Sequence, residues 1–296
     1  MMALHHTMKG ELKMGESLVK YNSWRVGGIA KRLYKPTDKH DLALFLQQLP
    51  EDEPILWLGL GSNVLIRDGG FNGTVIVTAG TLQQIDINDR FITAEAGLYC
   101  SKLAKQGAKA GLKGAAFWAG IPGTLGGALA MNAGAHGDET WDSVTEVTTI
   151  DKNGQLHHYP AAEFEVTYRH VALPENEWFV EAKMQFELGD DQVELGLIRE
   201  LLKKRNASQP TNQPCAGSVF RNPPNDYAGR LIEACGLKGF QHGGASVSTK
   251  HANFIVNEGN ATAADIEKLI SKVQHKIQAE FGINLIPEVH TIGDEA

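Results

Sequence analysis

The sequence predicts an α+β protein built as two domains, and three observations support that reading. The chain has 296 residues, enough for about two units of roughly 100–200 residues each. Short β-rich runs alternate with short helices through the first half. A polar break, Gly189-Asp190-Asp191, separates a long strand from a helix-rich remainder. The boundary is therefore placed between residues 1–190 and 191–296.

In order along the chain, Lys31 to Pro36 reads as a strand. Asp38 to Leu49 reads as a helix with Leu42, Phe45, Leu46 and Leu49 on one face and Thr37 as its N-cap. ILWLGL, VLIRD, TVIVTAG and FITAEAG follow as strands separated by Gly, Asn or Asp turns. A helix near Tyr99 to Ala110 stops at Gly111. VTTIDKNGQLHHY is a hairpin turning at Asn153-Gly154, followed by a short helix at Pro160 to Phe164 and the long strand WFVEAKMQFEL. The second part opens with a helix from Gln192 to Asn206, then a helix at Asp226 to Ala234 and a strand at Asn253 to Asn257. Thr262 to Phe281 is the strongest helix. Thr262 with Asp265 forms a capping pair, Ile266, Leu269, Ile270, Val273 and Ile277 make its apolar stripe, and Gly282 ends it. A last strand is expected near residues 283–292.

Composition removes several function classes. Apolar residues at 42% and charged residues at 21% are ordinary for a folded chain. A net charge of −7 argues against nucleic-acid binding, which needs a basic face to neutralise phosphates. No apolar run approaches the roughly 20 residues that span a bilayer, and Met1 to Lys20 is polar, without the apolar stretch of a secretory signal. No membrane partner is expected. His5-His6 reads as part of a tail rather than a metal site. Cys100, Cys215 and Cys235 are scattered, with no CxxC spacing, which supports neither a disulfide framework nor a zinc site. A reducing cytoplasm and no metal are expected. Glycine stands out at 32 residues, in clusters, as where backbone bends sharply or approaches a ligand.

Two glycine clusters carry the argument. LGLGSNVLIRDGG holds Gly59, Gly61, Ser62 and Asn63 between strand-like runs. It lacks the third glycine and the following helix of a dinucleotide fingerprint, and it has no Gly-Lys-Ser/Thr of a P-loop. Such a loop is either an ordinary tight turn or a backbone nest presenting N–H groups to an anion. In AGIPGTLGGALAMNAGA, Pro122 suits the first turn of a helix. Gly123, Gly126 and Gly127 would admit a flat ligand or phosphates, and Thr124 could add a hydroxyl donor. A close-packed glycine helix in the core is the competing reading. Three polar residues are also open to two readings. Ser218, in CAGSVFRNPP, could merely cap a turn; Arg169, in TYRH, could be a solvated charge; Glu288, in the terminal strand INLIPEVHTIG, could face solvent.

Taken together, and with Asn22-Ser23-Trp24-Arg25-Val26-Gly27-Gly28 upstream, the two loops resemble the FAD-binding domain of the vanillyl-alcohol oxidase (PCMH-type) superfamily. Within it they resemble the UDP-N-acetylenolpyruvoylglucosamine reductases, with Ser23 where the family's opening motif usually has threonine. The resemblance covers Asn22 to Ile292 in five ordered motifs. It implies a PCMH-type FAD-binding domain followed by a C-terminal α+β substrate-binding domain, with the last strand returning toward the FAD region. Non-covalent FAD is expected at Gly59, Gly61, Ser62, Asn63, Val64, Leu65, Ile121, Pro122, Gly123, Thr124, Gly126, Gly127 and Ala128. The resemblance makes Ser218 the proton donor, places Arg169 beside the substrate carboxylate and returns Glu288 to the active site. Asn222, Tyr168, Arg221, Tyr227, Glu233, Lys250 and His251 are expected near a UDP-sugar, with Arg230 on the flanking helix and Arg205 and Gln209 as diphosphate or nicotinamide contacts. The short interval from Arg169 to Trp178 places the chain with the shorter subclass, which lacks an inserted tyrosine loop.

These roles make chemical sense as a set. An enolpyruvyl ether is an alkene conjugated to a carboxylate, so hydride can add to its terminal carbon only if the charge growing on the carboxylate is stabilised. A fixed guanidinium offers charge-assisted hydrogen bonds for that purpose, and preorganised stabilisation of this kind can be the largest catalytic term. Glu288, close to the same carboxylate, is expected to be protonated or to share a proton. Ser218 would protonate the remaining carbon and, as a weak acid, must be well positioned. The implied cycle alternates: NADPH reduces FAD and leaves, then the UDP-sugar enters and takes the hydride. A monomer is expected. Another PCMH-type oxidoreductase acting on a sugar or hydroxy acid, and a non-catalytic flavin or nucleotide-sugar binder, are the alternatives.

Overall fold

The computed structural model describes residues 8–296, so His5 and His6 lie outside the described residues. The chain is mixed α and β and divides into two compact units. The first takes residues up to Met14, Arg32–Leu60 and Gly73–Leu202; the second takes Gly15–Lys31, Gly61–Asn72 and Lys203–Ala296. Both units are discontinuous in sequence, whereas a single cut after residue 190 was expected.

The two larger sheets lie mainly in the first unit. In one, the strands run in the order Glu11–Ser17, Ile29–Lys35, Phe71–Val77, Ile55–Leu58, and the last pair is parallel, with Leu58 opposite Val77. Helix α1 (Lys39–Leu46) is shorter than the sequence suggests. Its N-cap is Asp38, not Thr37: the Asp38 carboxylate accepts the Asp41 N–H at 2.8 Å. Leu42, Phe45 and Leu46 pack with Tyr34, Ile76, Ile150 and Val180, and the Tyr34 and Phe45 rings stack with centroids 3.7 Å apart.

The other sheet has five strands, in the order Leu156–Pro160, Val144–Asp151, Glu177–Gln185, Phe91–Glu95, Ile85–Asn88. Its neighbouring strands pair antiparallel. Helices α2 (Cys100–Lys109) and α3 (Leu125–Ala130) bury Leu103, Ala104, Leu125 and Leu129 in the same core as Ile92, Phe179 and Met184 of this sheet. Gly111 ends α2's turn at φ 68, as expected. Pro122, in contrast, lies outside α3, whose N-cap is Thr124. The first unit reaches into α4 (Asp191–Ser208), and its limit falls at Leu202.

The second unit is organised around α5 (Ala228–Ala234) and α6 (Ala263–Phe281). The expected stripe of Ile266, Leu269, Ile270, Val273 and Ile277 is buried with Trp24, Leu65, Phe220 and Leu231. The Thr262–Asp265 capping box is present, and Gly282 adopts φ 68 after the last turn. A second cap comes from far away: the Asp68 carboxylate accepts the N–H groups of Ala263 and Ala264, each at 2.9 Å. Strand Ile255–Asn257 begins two residues later than expected, leaving Asn253 outside it. The terminal strand is only His290–Ile292 and pairs in parallel with Val64–Ile66. Glu288 therefore stands before the strand rather than in it. Among the described residues no helix is long and apolar enough to cross a membrane.

Candidate active site

In the first unit the two glycine segments meet. A side chain at Gly59 would place its Cβ 2.4 Å from the Thr124 Oγ1, so only glycine allows this approach. Thr124 is 1% exposed, and its hydroxyl makes no hydrogen bond among the described residues. Burying an unpaired hydroxyl costs about 1–3 kcal/mol, so an oriented donor here calls for a ligand. Gly126 lets α3 approach Ala96, donating its N–H to the Ala96 carbonyl at 2.8 Å. Gly123 accepts the Cys100 N–H at 3.0 Å. Ile121 and Ala128 bury their side chains in the core. Pro122 and Gly127 are exposed.

Arg169 occupies a turn between the two-residue strands Val166–Thr167 and His170–Val171. Its φ is 58, a left-handed conformation that costs a residue with a Cβ roughly 1–2 kcal/mol. The guanidinium donates from Nη1 to the Asn132 carbonyl at 3.2 Å and from Nη2 to the Gly134 carbonyl at 3.4 Å. It also lies 5.2 Å from the centroid of the Tyr168 ring, which is 48% exposed. Asn132 is the hub: its amide donates to Glu139 at 2.7 Å, and its oxygen accepts the Trp141 N–H at 3.2 Å. A cavity of about 600 Å³ beside the turn is lined by Asn132, Glu139, Trp141 and Tyr168, among others.

In the second unit the upstream motif braces the other half of the LGLGSN loop. Asn22 donates to the carbonyls of Leu18 and Val26 at 2.9 and 2.7 Å, closing a turn that carries Ser23. The Ser23 N–H then reaches the Gly61 carbonyl at 3.0 Å. Gly61 has φ 66, and a Cβ there would come 2.2 Å from the Tyr21 carbonyl. Ser62 and Val64 are half-buried and Leu65 is in the core. Asn63 connects this loop to the expected catalytic residues, donating from Nδ2 to the Glu288 carbonyl at 3.2 Å and accepting the His290 N–H at 3.1 Å. The Glu288 N–H donates to the Val219 carbonyl at 2.8 Å, next to Ser218. One backbone hydrogen bond thus sets Val219, the residue after Ser218, against Glu288.

The remaining expected contacts are less uniform. Arg221 is half-buried, and its Nε has no partner among the described residues. Burial first, and then the charge of Arg221, push the His290 imidazole pKa down. Asn222 commits its amide oxygen to the Ala228 N–H at the start of α5, at 3.1 Å. Tyr227 is 69% exposed. Glu233 pairs with Lys238 at 2.7 Å, Arg230 pairs with Asp226, and Arg205 donates to Gln209 at 3.2 Å. Lys250 donates its ammonium to the Asn206 carbonyl. His251 accepts the Asn253 N–H on Nδ1 at 3.2 Å; burial, then Lys238, lower its pKa. Local structural bonds therefore engage Glu233, Lys250 and His251.

Comparison with known proteins decides the family. Residues 209–292 match the family described as UDP-N-acetylenolpyruvoylglucosamine reductase, C-terminal domain, and residues 30–159 match the FAD binding domain family. A curated protein of Legionella pneumophila (strain Corby) named UDP-N-acetylenolpyruvoylglucosamine reductase is 57% identical over 97% of this chain and 94% of its own length. This chain belongs to the UDP-N-acetylenolpyruvoylglucosamine reductase family. A relative of the same name from Alkalilimnicola ehrlichii is 51% identical over 99% of both chains. The crystal structure of the Thermus caldophilus reductase (MurB) superposes with a TM-score of 0.83 at 32% identity, covering 97% of this chain and 100% of that one.

The residues present fit the flavin that the FAD binding domain calls for. The buried Thr124 hydroxyl is a group without a protein partner among the described residues, and Gly59 and Gly61 let the loop backbone pass close to Thr124 and Tyr21, where a side chain would clash. The Trp118 indole N–H, fully buried and without a partner among the described residues, is a further donor that sequence reasoning missed. Asn132 and Asp68 were missed as well. Asn132 stands inside a quoted motif, but its partners are 7 and 9 residues away, and no local signal gives them.

Proposed function

We propose that this enzyme reduces the enolpyruvyl ether of UDP-N-acetylglucosamine-enolpyruvate to UDP-N-acetylmuramate, with NADPH as reductant, in peptidoglycan precursor synthesis. The observation that carries the reading is the Val219–Glu288 backbone bond, with Asn63 anchored to the same Glu288. It links the residue after the expected proton donor, the residue of the expected carboxylate and the Gly61–Asn63 part of the glycine loop within one unit. Bound FAD supplies the hydride that turns the terminal carbon of the alkene into a methyl group. In this proposal Gly59, Gly61, Ser62, Asn63, Val64, Leu65, Ile121, Pro122, Gly123, Thr124, Gly126, Gly127 and Ala128 bind it.

The side chains divide the remaining work. Arg169 stabilises the charge that accumulates on the substrate carboxylate, and its guanidinium is already oriented by two carbonyls. Ser218 delivers a proton from Oγ to the carbon that bears the carboxylate. Glu288 carries or shares a proton so that it does not repel the substrate. Asn222, Arg221, Tyr168 and Tyr227 are proposed to position the UDP-sugar, with Lys250, His251 and Glu233 shaping its surroundings.

We further infer that the enzyme works as a monomer in the cytoplasm. One chain supplies all three proposed catalytic side chains, and Cys100, Cys215 and Cys235 are free thiols. Light scattering is expected to give the mass of a single chain. The function itself is tested by steady-state turnover. NADPH oxidation should depend on the enolpyruvyl sugar, and mass spectrometry should find a product richer by two hydrogens. A yellow protein that oxidises NADPH no faster with the sugar than without it would be a binder, and one that instead oxidises a sugar or hydroxy acid would be another flavin oxidoreductase.

A further inference from the structure

Asn253 is 4% exposed and lies outside any strand, yet it does the work of one. Its backbone carbonyl accepts the Val219 N–H at 2.8 Å. Its side-chain oxygen accepts the Phe220 N–H at 3.0 Å, and its side-chain nitrogen donates to the Phe220 carbonyl at 2.8 Å. The opposite edge of the same segment is bonded to the C-terminal stretch, with Glu288 N–H on the Val219 carbonyl at 2.8 Å and Arg221 N–H on the Ile286 carbonyl at 2.9 Å. The backbone that follows Ser218 is therefore held on both edges. Just before it, Gly217 turns the chain at φ 73, so the firm footing of Ser218 lies on the Val219–Phe220 side.

We propose that Asn253 is a positioning residue for the reduction, setting the backbone that carries Ser218 in register with Glu288. The inference rests on the role given to Ser218 above. A primary amide suits the task because it offers one acceptor and two donors on a single rigid plane. Phe220 is 2% exposed, so without the amide its N–H and carbonyl would both be buried unpaired, and the segment would move to recover partners. His251 holds Asn253 in turn by accepting its N–H. A shift of about 1 Å in a group that transfers a proton can cost on the order of 100-fold in rate.

Anaerobic stopped-flow measurement of the two half-reactions tests this on the holoenzyme. Asn253→Asp keeps the volume and the acceptor for Phe220 N–H but sets a carboxyl oxygen where the donor to its carbonyl stood, and Asn253→Ala removes both; bound flavin and a wild-type circular dichroism spectrum show that each variant is folded. For Asn253→Asp, flavin bleaching by NADPH should match the wild type, while reoxidation at saturating enolpyruvyl sugar should slow about tenfold with unchanged half-saturation. In a Ser218→Ala background the same substitution should add no further loss, because it acts through that hydroxyl. Reoxidation at the wild-type rate, equal slowing of both half-reactions, or full additivity with Ser218→Ala would each overturn the proposal. Ser218→Ala reoxidising as fast as the wild type would instead remove the role of Ser218, and this inference with it.

Discussion

Arg169 adopts a backbone conformation that glycine would hold more cheaply, and such strain persists only where the surroundings over-determine it. Here the carbonyls of Asn132 and Gly134 do so. Lysine keeps the charge but not the planar fork. Arg169→Lys is therefore expected to slow flavin reoxidation by the sugar about 100-fold while NADPH still bleaches the flavin normally. Ser218→Ala should have the same asymmetry, with a loss of roughly 100-fold or more in the sugar half-reaction. Equal losses in both halves would contradict the assigned roles. Ser218, Arg169 and Glu288 stand out in the sequence because each lies in a short contiguous motif. Asn132 and Asn253 do not, since a buried asparagine is defined by partners that tertiary structure brings to it. Lys250 and His251, expected near the UDP-sugar, each also make a local bond.

Helix ends show the same division between local and distant information. The Thr262–Asp265 box spans three residues, so its pattern is visible in sequence and present in the structure. The second cap on α6, from Asp68, comes from 195 residues away and leaves no sequence signature. Asp68→Ala is expected to lower unfolding stability by about 1–2 kcal/mol, measured by urea denaturation, and no loss would show that Thr262 suffices. At α1 both Thr37 and Asp38 are competent caps, and the choice between them turns on Asp41. Burial pushes the Asp41 carboxyl upward, but N–H groups of Lys9 and Thr37 and the Tyr34 hydroxyl outweigh it and hold its pKa below the usual value. A carboxyl depressed in the folded state contributes stability that is present above its unfolded pKa of about 3.9 and is lost as pH falls through the folded value. The melting temperature of Asp41→Asn should accordingly fall less steeply with acid below about pH 4 than that of the wild type.

For the molecule as a whole, sequence periodicity located the long helices and the central strands but not the edge strands Glu11–Ser17 and Ile85–Asn88, and the division into units escaped it. The reason is topological. The second unit takes Gly15–Lys31 and Gly61–Asn72 from the first part of the chain, and the parallel pairing of His290–Ile292 with Val64–Ile66 joins segments that no local pattern relates. The LGLGSN loop is consequently shared, with Gly59 in one unit and Gly61 in the other. The central claim is that one flavin receives electrons from NADPH and passes them to an unsaturated sugar acid. Its most direct test is an anaerobic titration followed at the flavin absorbance band. NADPH should bleach the yellow enzyme, and one equivalent of enolpyruvyl sugar should restore the colour at once; an enzyme that stays bleached until air is admitted would contradict the account.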